Sequence, residues 1–343
     1  MIPEEKYMQR ALQLAAYGAG SVSPNPMVGA VIVAPDGRII GEGWHRRFGG
    51  PHAEVNAVAS VRPEDEHLLP QSTIYVTLEP CSHYGKTPPC SLLLIQKHLK
   101  RVVIGSADPF PLVAGRGVKM LREAGIEVIE DFMRSECDAL NRRFLFAHTH
   151  KRPYVQLKWA QSADGYMAAI NGDGKPEPVK LSDPVTLRLM HSQRAISDAI
   201  MVGTNTIIID NPSLNTRFWP GNSPRPVTFR SSRLPESLAL DQENLILLDP
   251  AIPLEEEFHR LYENFKITSL MVEGGASTLK SILEARLANE LRIECSPIVI
   301  GKGIPAPAIP AGFTLTQQIS VPPLDKMDNQ ERMIQTYFNK FCG

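Results

Sequence analysis

At 343 residues the chain exceeds the usual size of one domain, so two domains, each with its own core, are expected. Hydrophobic residues at 43% against 21% charged exclude a disordered or fibrous chain, and a net charge of -1 supplies no basic excess for a broad nucleic-acid surface.

The opening stretch, MIPEEKYMQR, is charged and acidic where a secretory leader is basic and then apolar. No apolar run approaches the roughly 18 residues of a membrane span. A cytoplasmic protein with neither membrane nor nucleic acid as a partner is therefore expected. In such a reducing compartment five scattered cysteines do not make a disulfide framework. Residues 3–18 read as a helix, with Pro3, Glu4 and Glu5 suited to a first turn and Met8, Ala11, Leu12 and Ala15 at helical spacing. VGAVIV (28–33), the turn APDG and RIIGEGW (38–44) predict a β-hairpin. HAEVNAVASV (52–61) follows as a helix, and TIYVTL (73–78) as a buried strand running into EPC. A helix is expected to start near Pro88, because Pro suits the first helical position. RVVIG (101–105), GRGVKMLREAG (115–125) and IEVIE (126–130) add strand, helix and strand. This alternation predicts an α/β sandwich over residues 1–147.

SECDALNRRFLFAHTHKR (135–152) reads as a closing helix leading into a basic linker. A second α/β unit, assigned to 148–343, then opens with PYVQLKWAQSADG. It continues with a helix near 183–195, a strand at DAIMVG (198–203) and a strand–turn–helix in SLMVEGGASTLKSILEARL (269–287). The Pro-rich GIPAPAIPAG (303–312) reads as a surface loop, and no internal repeat is evident.

The chemistry concentrates between residues 52 and 90. His52 and Glu54 stand in PHAEV at the start of a helix, and Cys81 and Cys90 bracket SHYGKTPP. One imidazole and two thiolates are three ligands of the kind zinc prefers; a catalytic site leaves the fourth position to water. Zinc lowers the pKa of a water, and a non-ligating Glu beside it can move protons to a ring nitrogen and a leaving amine. The order H-x-E, P-C, C is that of the zinc deaminases. A structural zinc site stays open if His45, His83 or Cys137 supplies a fourth ligand. In the second unit no G-x-G-x-x-G occurs. VGTNT (202–206) and VEGGAST (272–278) are short turns in which glycines allow close backbone approach and a helix N-terminus favours an anion.

Nucleoside and transfer-RNA deaminases keep their cysteines as C-x-x-C, whereas eight residues intervene here. With SPNPMVGAVIV (23–33), GEGWH (41–45), PHAEV, TLEPCSHYGKTPPC (77–90) and ADPFPLVAGRG (107–117), residues 1–147 resemble the deaminase half of the bifunctional riboflavin-biosynthesis deaminase/reductase family. The resemblance implies a cytidine-deaminase-like α/β/α sandwich with Zn2+ on His52, Cys81 and Cys90 and with Glu54 as the catalytic proton shuttle. The implied substrate is 2,5-diamino-6-ribosylamino-4(3H)-pyrimidinone 5′-phosphate, deaminated at ring C2. Asn25, His45, His83, Lys86 and Asp108 would surround it. Ser23 stands where many relatives have His.

LKWAQSADG (157–165), RAISDAIMVGTNTIIIDNPSLNTR (194–217), PRPV (224–227) and VEGGAST resemble the reductase half of the same family. That implies a dihydrofolate-reductase-like α/β domain using NADPH to deliver hydride to C1′ of the ring-opened ribose. Lys158, Arg194, Asp210, Leu214, Arg217 and Glu273 would contact the substrate. Gln161, Thr206 and the 275–281 turn beginning at Gly275 would contact NADPH. Lys180 occupies a place where relatives often carry Trp. A homo-oligomer, dimer or tetramer, is expected. Two other readings remain: a nucleic-acid-editing deaminase, which calls for a basic groove and C-x-x-C, and a C-terminal half that is a non-catalytic ligand-binding or dimerisation module.

Overall fold

The structure is a computed structural model that describes residues 3–84, 88–109, 115–323 and 331–340. The chain divides into two compact units, residues 1–149 and 150–343. Among the described residues, no helix is long and apolar enough to cross a membrane.

The first unit runs α1 (Glu5–Ala16), β1 (Gly29–Val33), β2 (Ile39–Trp44), α2 (Ala53–Ala59), β3 (Thr73–Leu78), α3 (Cys90–Gln96), β4 (Arg101–Ser106), α4 (Arg116–Glu123), β5 (Glu127–Ile129), α5 (Arg134–Leu140) and α6 (Arg142–His150). Its sheet has the order β2-β1-β3-β4-β5. β1 is antiparallel to β2, as the hairpin pattern requires, and to β3, while β3, β4 and β5 are parallel. The two-residue period of the strands sorts the core into two layers. Val31, Val33, Tyr75 and Val103 pack with Tyr7, Met8 and Leu14 of α1 and Cys137 of α5. Ile32, Ile74, Val76 and Val102 pack with Ala53 and Ala57 of α2, Leu94 of α3 and Leu121 of α4. Helices on both faces make the expected sandwich.

Two expectations shift. α3 begins at Cys90 with Pro89 as its N-cap, so the cysteine, not a proline, takes the first helical position. The single closing helix is broken at Asn141, whose side chain accepts the Met27 N–H (2.9 Å) and donates to the Met27 carbonyl (2.8 Å). A residue that clamps a distant backbone in this way is held out of regular helix, and α5 and α6 meet there.

The second unit runs β6 (Tyr154–Gln161), β7 (Tyr166–Ile170), β8 (Pro176–Glu177), α7 (Pro184–Ala195), β9 (Ala199–Met201), α8 (Thr204–Asp210), β10 (Arg225–Phe229), β11 (Ile246–Leu248), α9 (Leu254–Phe265), β12 (Ser269–Val272), α10 (Ala276–Glu284), β13 (Glu290–Cys295), β14 (Gly303–Pro305), β15 (Phe313–Val321) and β16 (Arg332–Asn339). Its main sheet has the order β11-β10-β9-β12-β6-β13-β16-β15, parallel up to β13 and antiparallel beyond it. Leu157, Trp159, Leu291 and Ile293 point to one face and join Phe258, Leu261, Leu279 and Ile282 of α9 and α10 in the larger core. Asp183 caps α7 in a capping box with Thr186. The 303–312 segment departs from a loop at its start, where Gly303–Pro305 pair with β7. β15 and β16 went unanticipated because their burial does not follow hydrophobicity: β15 is an edge strand with mostly exposed residues, and β16 turns Arg332 and Thr336 inward.

Candidate active sites

In the first unit the zinc-type residues sit on adjoining ends of three elements. His52 is the N-cap of α2, Cys81 lies three residues beyond β3, and Cys90 opens α3. His52 Nδ1 is 3.6 Å from Cys81 Sγ and 3.3 Å from Cys90 Sγ, and the three donor atoms all lie within 4.8 Å of one another. Tetrahedral zinc, with its usual Zn–N and Zn–S lengths, separates an imidazole nitrogen from a thiolate sulfur by about 3.5 Å. The donor set therefore fits zinc in both chemistry and spacing. The Cys90 backbone N–H also donates to Cys81 Sγ (3.3 Å). The Cys81 thiol is pushed down to about 4, first by its hydrogen bond with Cys90 and then by His52, while the same bond and burial push Cys90 up. One sulfur is thus poised as a thiolate beside the imidazole.

Among the described residues no fourth His, Cys, Asp or Glu joins this group. Of the alternatives, His45 has both ring nitrogens engaged. Its Nδ1 donates to the Pro51 carbonyl (3.0 Å), which leaves Nε2 to accept from Asn25 Nδ2 (3.2 Å). Cys137 is buried in the core under α1, and His83 is exposed. Glu54, in the first turn of α2, is 3% exposed, and its carboxyl is pushed up to about 7 by burial and then by Cys81. His45 and His52 stack edge to face at 5.5 Å, so Asn25 and His45 stand beside the metal group. Asp108 is half-buried two residues after β4, and Lys86 lies outside the described residues. Glu79 is buried and accepts N–H bonds from Gly115 (3.0 Å) and Gly117 (3.1 Å) at the start of α4, tying that helix to the strand that leads to Cys81.

In the second unit Arg194 on α7 and Glu273, just after β12, form a buried two-pronged pair at 2.8 and 2.6 Å. Burial alone would raise the Glu273 carboxyl; Arg194, helped by Lys158 and His191, outweighs it and lowers the pKa. Arg194 also donates to the Asn215 carbonyl (2.9 Å), and His191, one turn away, accepts the Arg217 N–H (3.2 Å). Just before these two ties Leu214 is buried in a left-handed conformation, φ 51°, uncommon for a non-glycine residue. The Arg217 guanidinium bonds Ser213 and Asn215 within its own loop. Asp210 ends α8, largely exposed, and partial burial of its carboxyl pushes the pKa up. Lys158 and Glu273 line a cavity of about 340 Å³ together with Lys180 and Ser182, whereas Asp210 and Arg217 are not among its walls.

Gln161 ends β6 and accepts from the Trp159 indole (2.8 Å). The turns at 202–206 and 273–278 abut: a Cβ on Gly203 would lie 2.4 Å from Thr278 Oγ1, and one on Gly275 would lie 3.6 Å from Thr206 Oγ1. Gly275 caps α10 without a side-chain bond, which leaves that helix start open to an anion. An apolar groove of about 1060 Å³ shares Ala276, Ser277 and Lys280 with this turn.

Comparison with known proteins agrees at both ends of the chain. Residues 1–106 match the model for the cytidine and deoxycytidylate deaminase zinc-binding region, and residues 153–321 match the model for the RibD C-terminal domain. The riboflavin biosynthesis protein RibD of Actinobacillus pleuropneumoniae is 39% identical over 325 residues, covering 86% of this chain and 84% of that protein. The chain belongs to the RibD family. Among solved structures, RibD of Acinetobacter baumannii superposes with a TM-score of 0.83 at 33% identity, over 97% of this chain and 98% of that one. A Thermotoga maritima diaminohydroxyphosphoribosylaminopyrimidine deaminase/5-amino-6-(5-phosphoribosylamino)uracil reductase gives the same score and identity over 98% of each chain.

For a RibD chain, the zinc-binding deaminase fold and the reductase-type α/β fold are thus both in place. The site residues that escaped sequence reasoning are Glu79, Ser182 and His191. Glu79 stands inside TLEPC, but its tie to the start of α4 shows only in the fold, and Ser182 and His191 belong to no short motif.

Proposed function

We propose that residues 1–147 carry out deamination and residues 148–343 reduction, on one pyrimidine ribosyl phosphate. As a RibD family member the chain is a bifunctional deaminase/reductase of riboflavin biosynthesis. The observation that carries the division is the His52–Cys81–Cys90 group with a buried, non-ligating Glu54 beside it. Zinc held by these three residues supplies the Lewis acidity that makes water a nucleophile at neutral pH. Glu54, its carboxyl pushed up to about 7, is poised both to accept the water's proton and to hand one to the departing amine. Water oxygen replaces the amino group at C2 of 2,5-diamino-6-ribosylamino-4(3H)-pyrimidinone 5′-phosphate, and ammonia leaves. Asn25 and the neutral His45, locked by the Pro51 carbonyl, orient the base; His83, Lys86 and Asp108 serve the ribose phosphate.

In the second unit Gln161, Thr206 and the Gly275 turn would hold NADPH, which would supply the hydride. When the ribosylamine opens, C1′ becomes an iminium carbon and the ring oxygen must gain a proton. Lys158, on the cavity wall, would give it. Hydride addition at C1′ then completes the ribityl chain. Glu273 and Arg194 brace the wall, and Asp210, Leu214 and Arg217 hold the rest of the substrate. A cytoplasmic homo-oligomer, dimer or tetramer, fits this reading; among the described residues the nine-residue strand β15 lies at the edge of its sheet, where a second copy could pair.

Mass spectrometry of products formed from the diaminopyrimidinone phosphate tests the whole. Without NADPH the aminouracil ribosyl phosphate should accumulate, and with NADPH the ribityl product should replace it. A ribityl product that still carries the C2 amine would overturn the order of steps.

A further inference from the structure

Glu294 is a buried carboxylate that no step above uses. It projects from β13, 3% exposed, on the face opposite the large apolar core. Parallel pairing places Arg292 opposite Lys158 and Glu294 opposite Ala160, so Glu294 stands one strand over and one side-chain step along from Lys158. Its Oε2 lies 3.6 Å from Lys158 Nζ and accepts from Ser182 Oγ at 2.7 Å. Among the described residues its Oε1 has no hydrogen-bond partner. An unsatisfied oxygen on a buried carboxylate is costly, and a buried ion pair is often matched or bettered in stability by apolar packing. Stability alone gives little reason for a carboxylate here.

Its neighbours give another. Lys158 and Ser182 both line the cavity that Glu273 closes, and Glu294 stands behind them. We infer that Glu294 is a positioning residue for the reduction: it holds the Lys158 side chain aimed into the cavity, and Ser182 fixes the carboxylate that does so. The inference rests on the proposed role of Lys158. The charged groups around that ammonium are Glu294 and Arg292 from β13, Glu273 after β12 with its partner Arg194 from α7, and Lys180 from the segment before α7. Glu273 is already committed to Arg194 by two bonds, which leaves Glu294 as the carboxylate attached to Lys158.

The experiment compares E294Q, E294D, S182A and K158M in the full chain, supplied with the deaminated substrate and NADPH. E294Q keeps size and hydrogen-bonding atoms but removes the charge. Its kcat for reduction should fall roughly tenfold, the low end of what breaking one close charge pair costs, with the KM for NADPH unchanged. E294D, which keeps the charge, should recover part of that loss. S182A, which leaves the carboxylate in place, should lower kcat in the same way by less, and it carries the test if E294Q does not fold. A wild-type kcat in folded E294Q, or in S182A where only that variant folds, overturns the inference. K158M separates the two readings. Impaired reduction in K158M with normal E294Q sinks the role of Glu294 alone, whereas full reduction in K158M sinks the role of Lys158 and with it that of Glu294.

Discussion

Cys90 carries two duties at once, as a sulfur donor and as the first residue of α3. C90A keeps a good helix former there and removes only the donor, so the fold should survive while zinc falls from about one per chain to near none, since two donors do not make a zinc site. Elemental analysis of the purified variant decides it, and full retention of zinc would remove Cys90 from the ligand set. His191 gives the residue scale a pH signature. Its imidazole is buried and pushed down from 6.5 to about 4, by burial first and then by Arg194 and Arg217. The folded value lies below the unfolded one, so the associated stability is present above pH 6.5 and is lost as pH falls toward 4. In H191Q, whose amide does not titrate, the difference in melting stability between pH 7 and pH 4.5 should shrink by on the order of 1 kcal/mol once solvent screening is allowed for. Identical pH slopes in the two proteins would contradict it. These two residues also mark what a sequence discloses. Cys90 was legible because its partners come from neighbouring elements in a short, ordered motif. His191 and Glu294 were not, because each matters through a contact made only when distant segments pair.

The elements around the zinc group are held at separations that only glycine permits. A Cβ on Gly43 of β2 would sit 2.3 Å from the Ala57 nitrogen and 2.4 Å from the Ala53 carbonyl oxygen of α2, and one on Gly41 would sit 2.5 Å from the Ala57 oxygen. α2 therefore lies directly on the hairpin, and it carries His52 at its cap and Glu54 in its first turn. G43A must push that helix outward. The obstruction is backbone, not a flexible side chain, so the cost should reach about 3 kcal/mol, the upper end of ordinary overpacking. Zinc affinity should drop with it, because His52 moves while Cys81 and Cys90 stay. A thermal melt and a zinc titration read the two effects, and a wild-type result in both would mean that α2 is not set by this contact. The hairpin was legible in VGAVIV and RIIGEGW around the turn APDG, but the purpose of its glycines was not, since a helix docked against a strand leaves no local mark. The break between α5 and α6 was hidden for the same reason: Asn141 reads as an ordinary helix residue until Met27 is found beside it.

At the scale of the whole molecule, the question is whether two reactions on one chain are chemically independent. The zinc group and Glu54 lie in the first unit, the Lys158 cavity in the second, and each unit has its own sheet and core. The variants that probe this must spare the fold. Glu273 is a poor choice for truncation, because removing it strands Arg194 as a buried charge at a cost of about 3–5 kcal/mol. Arg217 is better: among the described residues its guanidinium bonds the Ser213 and Asn215 side chains of its own loop. E54Q keeps zinc and shape but cannot shuttle a proton, so deamination should fall by about 10²-fold or more. The same protein should oxidise NADPH at the wild-type rate when given the deaminated intermediate. R217A should deaminate normally and reduce poorly, its binding of the phosphorylated intermediate weakened by about 1.5–3 kcal/mol, the scale of a hydrogen bond to a charged group. Fed the first substrate with NADPH, R217A should therefore accumulate the aminouracil ribosyl phosphate. Four rates, two variants on two substrates, make the comparison complete. If folded, zinc-loaded E54Q failed to reduce the supplied intermediate, the assignment of each reaction to its own unit would fall, because no residue of the Lys158 cavity was altered.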